Sequence, residues 1–244
     1  MSTDTILIIG ASSALGQRYI RSIGDPTVKI IAHYNTEPAA LINQKKELNL
    51  DMIMLQSNLA DLDGGSKIVD FMNQHEIIPN KIIHFAAPRL KYDKFTTIDW
   101  SDVEMSFNIS VRSIFIILQS CLTKMVRMRS GKIIFLLSSV VHNPPVPYLT
   151  SYTIAKSALL GLMRNLVAEY SAKGININAI SPSMINTPFI SDINEKIPEM
   201  FAQSHPLKRL AETDDVIPLI NFLLSDGANY INGVNISISG GTSN

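Results

Sequence analysis

Several features that readily assign a chain to a class are scarce here, and each shortage excludes something. Cysteine occurs once, as Cys121, in 244 residues. One thiol rules out an intrachain disulfide framework and a cysteine-rich metal site. Cys121 lies in an apolar helical run and reads as a buried, inert thiol. Neither sign of charge is in excess, because Lys+Arg 21 balances Asp+Glu 21. No global field therefore favours nucleic acid or an anionic membrane. The basic stretch Lys124–Lys132 reads as the solvated end of a helix, not as a nucleic-acid stripe. Apolar runs are short. Ile114–Leu118, among the longest, is far below the roughly 20 residues of a membrane helix. Met1–Thr5 has Asp4 as its one charge, and Ile6–Ile9 is too short for the apolar region of a signal peptide. Linkers and internal repeats are lacking too. These shortages predict a cytoplasmic protein with no nucleic-acid partner, no membrane partner and no bound metal.

What is plentiful is core. Hydrophobic residues make up 46% of the chain, enough for one substantial α/β domain over residues 1–244. Ile6–Ile9, Val28–Ala32, Asp51–Gln56, Lys81–Phe85, Lys132–Leu137, Ile175–Ile180 and Val234–Ile238 read as strands. Helical patterns cover the residues after Gly16, Gly65–His75, Trp100–Arg129 with a break, Ser151–Ala172 and Asp214–Leu224. Asn186–Leu207 is irregular or weakly helical. Strands and helices that alternate in this way predict a doubly wound, mostly parallel sheet with ligands at the carboxyl ends of the strands.

The candidate site residues fall at those ends. The first strand meets Gly10-Ala-Ser-Ser-Ala-Leu-Gly16 and then a helix. A strand, a small-residue turn and a helix N-terminus present free N–H groups to a phosphate. Ala14 stands where a middle glycine would sit. The second strand runs into His33-Tyr34-Asn35-Thr36, the tip that meets an adenosine ribose in a dinucleotide fold. Neither a carboxylate nor an arginine stands at Tyr34 or Asn35, and Glu37 comes slightly late. Asn58, next to Leu59, either bonds an adenine edge or closes a turn. Ala86 and Ala87 are small enough to admit a cofactor to the backbone.

Tyr152 and Lys156 are four residues apart at the start of a helix, so they stack on one face one turn apart. Bringing a tyrosine from about 10 to about 7 takes roughly 4 kcal/mol of phenolate stabilisation. A cation at ~4 Å supplies about 1 kcal/mol in water and about 4 at an effective dielectric near 20. The pair can therefore move protons only in a sheltered pocket.

Taken in order, these segments resemble the short-chain dehydrogenase/reductase family from Ile6 to Gly241. The turn at residues 10–16 resembles its nucleotide loop, and Ser139, Tyr152 and Lys156 resemble its catalytic spacing. Ser181-Pro182-Ser183-Met184-Ile185-Asn186-Thr187 is similar to its Pro-Gly segment, whose threonine faces the nicotinamide amide. Pro206–Leu210 and Tyr230–Gly241 resemble its 3-oxoacyl-carrier-protein reductase-like branch. The resemblance implies a Rossmann-type fold with helices on both faces of the sheet. It also implies hydride transfer between NAD(P) and a carbonyl or secondary alcohol. Tyr152 would move the proton, Lys156 would lower its pKa and hold the nicotinamide ribose, and Ser139 would orient the substrate. The implied cofactor contacts are Gly10, Ser12, Ser13, Leu15, Tyr34, Asn35, Asn58, Leu59, Ala86, Ala87, Tyr152, Lys156, Pro182, Ser183, Ile185 and Thr187.

Some positions depart from the family pattern. Counting back from Tyr152 through the loop around Pro145 selects Ser139, whereas counting forward from Gly131 selects Ser138. The usual asparagine of the long helix aligns with Ser110, and Asn108 on a regular helix would face elsewhere. His84-Phe-Ala-Ala87 replaces an Asn-Asn-Ala-Gly run, with His84 read as a structural strand-end residue. The alternative to an enzyme is thus a catalytically weak nucleotide-binding relative serving as a regulatory or scaffold subunit. With no carboxylate at the ribose tip and neutral donors at Asn35, Thr36 and Ser13, NADP(H) is expected to be slightly preferred over NAD(H). Thr187–Pro206 reads as a lid with Phe189, Ile190, Ile193, Ile197, Met200 and Phe201 as its apolar residues. The stripes on Ser151–Ala172 and Phe107–Met125 exceed the needs of one small core. In the resembling family these helices pair between subunits, which implies a homo-oligomer, a tetramer or dimer.

Overall fold

A computed structural model describes residues 4–142 and 146–242 of the chain. Met1–Thr3, and Pro144 and Pro145 of the loop used above to select the serine, lie outside the described residues. Seven strands form one parallel sheet in the order β3-β2-β1-β4-β5-β6-β7. They are β1 (Thr5–Ile9), β2 (Lys29–Tyr34), β3 (Met52–Gln56), β4 (Lys81–His84), β5 (Gly131–Leu136), β6 (Ile175–Pro182) and β7 (Asn235–Ile238). The sheet is parallel because each crossover between strands carries the chain back along one face. Both faces are covered, so the central strands are apolar on both sides. Along β1 the alternation is direct. Leu7 and Ile9 enter the core under α3 (Gly64–Gln74), α5 (Ser113–Met128) and α6 (Thr150–Tyr170). Ile6 and Ile8 enter the opposite core, under α1 (Ala14–Ser22), α2 (Ala39–Glu47) and α8 (Thr213–Leu224).

Three local differences from the sequence reading bear on the site. Strand β2 continues two residues past Ala32, so Tyr34 belongs to the strand and not to the loop. The helix break is a π-helical turn, Asn108–Arg112, between α4 (Trp100–Phe107) and α5. Asn108 and Ser110 are therefore not related by regular helical spacing. Within Asn186–Leu207 a helix α7 forms at Lys196–Ser204. Helix α2 escapes the pattern reading because only Leu41 and Gln44 are buried on it. The joined run Trp100–Met128 is long and apolar enough to cross a membrane. In this fold Ile114, Ile117, Leu118, Cys121, Leu122 and Met125 face the sheet instead. Burial of Cys121 pushes its thiol up to about 12, the inert state expected of it.

Candidate active site

Sheet order reverses between β1 and β4, which are neighbours, and a crevice opens at such a point. Gly10 follows β1 with φ +83°, a left-handed conformation that favours glycine. A Cβ on it would lie 3.0 Å from the Ala86 nitrogen, so the two strand ends meet backbone to backbone. A Cβ on Gly16 would lie 2.5 Å from the Ala11 carbonyl oxygen. Helix α1 therefore sits directly on the turn. The Ser13 Oγ accepts the Gly16 N–H at 3.1 Å and caps α1. First-turn acids are absent from α1, which leaves the positive end of the helix dipole open to an anion. The glycine turn and its donors fit the pyrophosphate of a dinucleotide.

The sequence reading passed over His33, which holds this turn in place. The Gly10 N–H donates to His33 Nδ1 at 3.1 Å, and His33 Nε2 lies 2.9 Å from the Ser57 carbonyl. A carbonyl only accepts, so Nε2 carries the hydrogen and Nδ1 is the acceptor. Burial pushes the pKa of His33 down to about 4, and the ring is neutral. In the sequence nothing separates this histidine from an ordinary strand-tip residue; its role depends on β1 and β3 flanking β2.

At the other end of the crevice β5 delivers Leu136, Leu137 and Ser138, while α6 carries Tyr152 and Lys156. The Lys156 Nζ donates to the Leu136 carbonyl at 2.7 Å and stands 5.6 Å from the centre of the Tyr152 ring. Both Ser138 and Ser139 line the cleft beside Tyr152, and Ser138 is the one whose hydroxyl bears on the Tyr152 phenol. The reason lies in the backbone. Ser138 is extended, with φ −162° and ψ 158°, two residues past the end of β5, whereas Ser139 opens a 3-10 turn, Ser139–Val141. Burial pushes Tyr152 up to about 12, with Tyr92 adding to the rise and the Ser138 hydroxyl opposing it. Burial also pushes Lys156 down to about 7. The lysine does not bring the tyrosine toward neutrality here, because enclosure disfavours the phenolate as well as the ammonium. Tyr152 keeps its proton, and Lys156 titrates near neutral pH.

One cleft of about 780 Å³ joins the two ends. Gly10, Ser12, Ser13 and Leu15 line it at the turn, and Asn35, Asn58 and Leu59 beyond the ends of β2 and β3. Ala86 and Ala87 form its floor, facing Pro182, Ser183, Ile185 and Thr187; Ser138, Ser139, Tyr152 and Lys156 close it. The facing wall is pinned because Ser183 N–H donates to Ile238 O at 2.9 Å and Asn186 N–H to Ala211 O at 2.8 Å. Two expected residues are absent from the lining. Tyr34, half-buried, packs against the core on the face of Ile30 and Ala32, because as part of β2 it continues their alternation. Ser110 is buried behind the cleft, where its carbonyl lies 2.8 Å from His84 Nε2. Asn58 reaches the lining, but its amide closes a turn through Asp61 at 2.9 Å and Ala60 N–H at 3.1 Å.

Next to Tyr152 the cleft widens into an apolar chamber. Leu90, Tyr92, Val140, Leu149, Met184, Phe189 and Ile190 line it, while Ile193 and Ile197 belong to the same apolar cluster behind that lining. The Phe189 ring lies 5.9 Å from the Tyr152 ring and tilted 52° to it, a geometry that holds the phenol in position. Phe201 also lines the cleft, whereas Met200 is 67% exposed and takes no part.

Residues 10–243 match the family model described as enoyl-(acyl carrier protein) reductase. An uncharacterized oxidoreductase of Bacillus subtilis, YmfI, is 27% identical over 97% of this chain and 98% of its own. The 3-oxoacyl-[acyl-carrier-protein] reductase FabG of Staphylococcus aureus is 25% identical, over 98% of each chain. Among solved structures, levodione reductase superposes with a TM-score of 0.86 at 23% identity, covering 99% of this chain and 98% of that one. With the parallel sheet, the glycine turn and the Ser138–Tyr152–Lys156 arrangement, the match over nearly the whole chain establishes that this protein belongs to the short-chain dehydrogenase/reductase family of oxidoreductases.

Proposed function

We propose that this protein reduces a carbonyl, or oxidises the corresponding secondary alcohol, with Tyr152, Ser138 and Lys156 as its catalytic residues. The observation that carries the reading is Tyr152 with Ser138 beside it and Lys156 behind it, at the chamber end of a cleft whose other end is a phosphate cradle. A nicotinamide cofactor bound along that cleft supplies or accepts the hydride. Carbonyl reduction builds negative charge on oxygen. The Tyr152 O–H meets that charge and gives up its proton, and Ser138 donates a second hydrogen bond to the same oxygen. Lys156 places a positive charge behind both. These interactions strengthen as charge develops, so they act on the transition state more than on the bound substrate.

The apolar chamber supports an acyl or other apolar substrate group, and the 25% identity to a 3-oxoacyl-[acyl-carrier-protein] reductase supports a 3-oxoacyl thioester as the first candidate. Residues 187–206 act as a lid over the chamber in this reading, with Phe189, Ile190 and Phe201 lining it and Ile193 and Ile197 packed in the cluster behind them. Asn35 replaces Tyr34 as the residue that reads the ribose. Asn35 and Asn58, which line that end, are both uncharged, so neither repels a 2′-phosphate and neither clamps it. We assign a small preference for NADP(H), with NAD(H) usable. Half-exposed Phe107, Phe115 and Ile154 on the helices α4, α5 and α6 support a homo-oligomer. The family's soluble fold supports a cytoplasmic location.

The test is oxidation of NADPH and NADH with a panel of carbonyls that includes 3-oxoacyl thioesters. Tyr152→Phe keeps the ring against Phe189 and deletes the proton donor, so turnover is expected to fall by roughly 100- to 10,000-fold with cofactor binding retained. Near-wild-type turnover in a folded variant refutes the assignment, and a wild type that binds nucleotide but turns over nothing favours a regulatory or scaffold role.

A further inference from the structure

His84 is 1% exposed, at the end of β4 behind the cleft. Its two ring nitrogens have different surroundings. Nε2 lies 2.8 Å from the Ser110 carbonyl, so that nitrogen carries the hydrogen. Nδ1 is then an acceptor, and it is buried with no hydrogen-bond partner among the described residues. Leaving such an atom unpaired is costly, and buried waters typically satisfy groups of this kind.

The sheet register shows which donor is within reach. His84 is paired with Phe135 on β5, and the Lys156 ammonium sits on the carbonyl of the next residue, Leu136. Neighbouring strands are about 4.8 Å apart. Along β4, Ile82 enters the core under α5 and α6, and His84, two residues on, points to the same face. Lys156 descends from α6 on that face, between Ala155 and Leu159 of the same core. The π turn at Asn108–Arg112 brings Ser110 to the opposite side of the ring.

We propose that His84 is a positioning residue for the active site: its Nδ1 accepts, across one buried water, a hydrogen bond from the Lys156 ammonium, while its Nε2–H is anchored on the π turn. The anchor fixes the tautomer, and the acceptor keeps the ammonium charged and aimed. Independently, the Lys156 charge is among the causes that hold His84 neutral, with a pKa pushed down to about 3, after burial as the largest. Tyr152 on α6 lies beside Lys156, its ring centre 5.6 Å from the Nζ, and the Lys156 charge acts on His84 of β4. Behind them stand Tyr92 and His33, which act on Tyr152 and His84 respectively. The fall in the Lys156 pKa comes from burial, and an acceptor for the ammonium opposes it. This role rests on the proposed chemistry of Tyr152 and Lys156 but is tested without it.

Two substitutions separate the two sides of the ring. His84→Gln puts an amide near the Nε2 position and can still donate to Ser110, but it leaves no acceptor at the Nδ1 position. His84→Asn puts an amide oxygen near the Nδ1 position and loses the reach to Ser110. The readouts are the Lys156 titration, followed by NMR of ε-labelled lysine and assigned with Lys156→Arg, and the pH profile of kcat/KM. Losing the acceptor destabilises the ammonium. His84→Gln should lower the Lys156 pKa by about one unit, the scale of a charge-assisted hydrogen bond. It should also move the alkaline limb of kcat/KM to lower pH by the same amount. His84→Asn should restore the titration while melting at a lower temperature. The proposal is overturned if His84→Gln leaves Lys156 titrating as in the wild type, or if both variants move it equally. A Lys156 pKa that falls in His84→Gln, in a protein that turns over no carbonyl, refutes the catalytic reading and upholds the role of His84.

Discussion

Two of the buried histidines, His33 and His84, make this fold acid-sensitive over an interval that can be calculated. His33 and His84 have pKa values pushed down to about 4 and about 3, in both cases mainly by burial. In the unfolded chain each returns to about 6.5. Between those values the unfolded state binds more protons than the folded one, so stability rises with pH through the window and falls as pH drops below 6.5. From pH 7.5 to pH 5 each histidine removes about 1.4 kcal/mol for each of roughly 1.5 pH units, or about 2 kcal/mol, and the pair removes about 4. Lys156, pushed down to about 7, removes about 1 kcal/mol more over the same interval by the same linkage. The comparison is therefore made between variants. His33→Asn keeps an acceptor for the Gly10 N–H and cannot take up a proton, and His84→Asn is likewise silent. Urea unfolding at pH 7.5 and pH 5, at one protein concentration, should show each variant losing about 2 kcal/mol less than wild type, and the double variant about 4 less. Equal acid losses in wild type and both variants would mean that neither ring is held neutral by its enclosure.

Other expectations concern the cleft and the assembly. Ser138→Ala should lower kcat by ~100-fold, as for loss of a donor to a developing oxyanion, whereas Ser139→Ala should stay within about twofold; the reverse order would restore Ser139 as the partner of Tyr152. Asn35→Asp places a negative charge beside the ribose and should switch the order of kcat/KM from NADP(H) to NAD(H); an unchanged ratio would show that another residue reads this group. Light scattering at micromolar concentration should give a multiple of the 27.0 kDa chain mass, and a monomeric mass would refute the assembly.

Sequence pattern alone determined the framework. Short apolar strand segments alternating with helices lead to a parallel sheet, since each crossover must return along a face. The Gly10–Gly16 turn was legible because phosphate cradles need small residues at such spacings. Tyr152 and Lys156 were legible because four residues span about one helical turn. Tertiary structure decided the rest, and the reasons are local. Adjacent serines cannot be told apart until the end of β5 shows which one is still extended. Tyr34 looked like a ribose contact until two more residues of β2 turned it against the core and out of the cleft lining. The helix break became meaningful as a π turn because the Ser110 carbonyl there faces His84. His33 and His84 show the limit most directly. Ile9 is opposite His84 in the sheet register, and Ala32 is opposite Ile8, which places His33 beside Ile9 on the other side. Residues 33 and 84 thus flank one strand at one level, on one face. That juxtaposition follows from strand order, which periodicity does not contain, and it brings one histidine to the nucleotide turn and the other to the catalytic lysine.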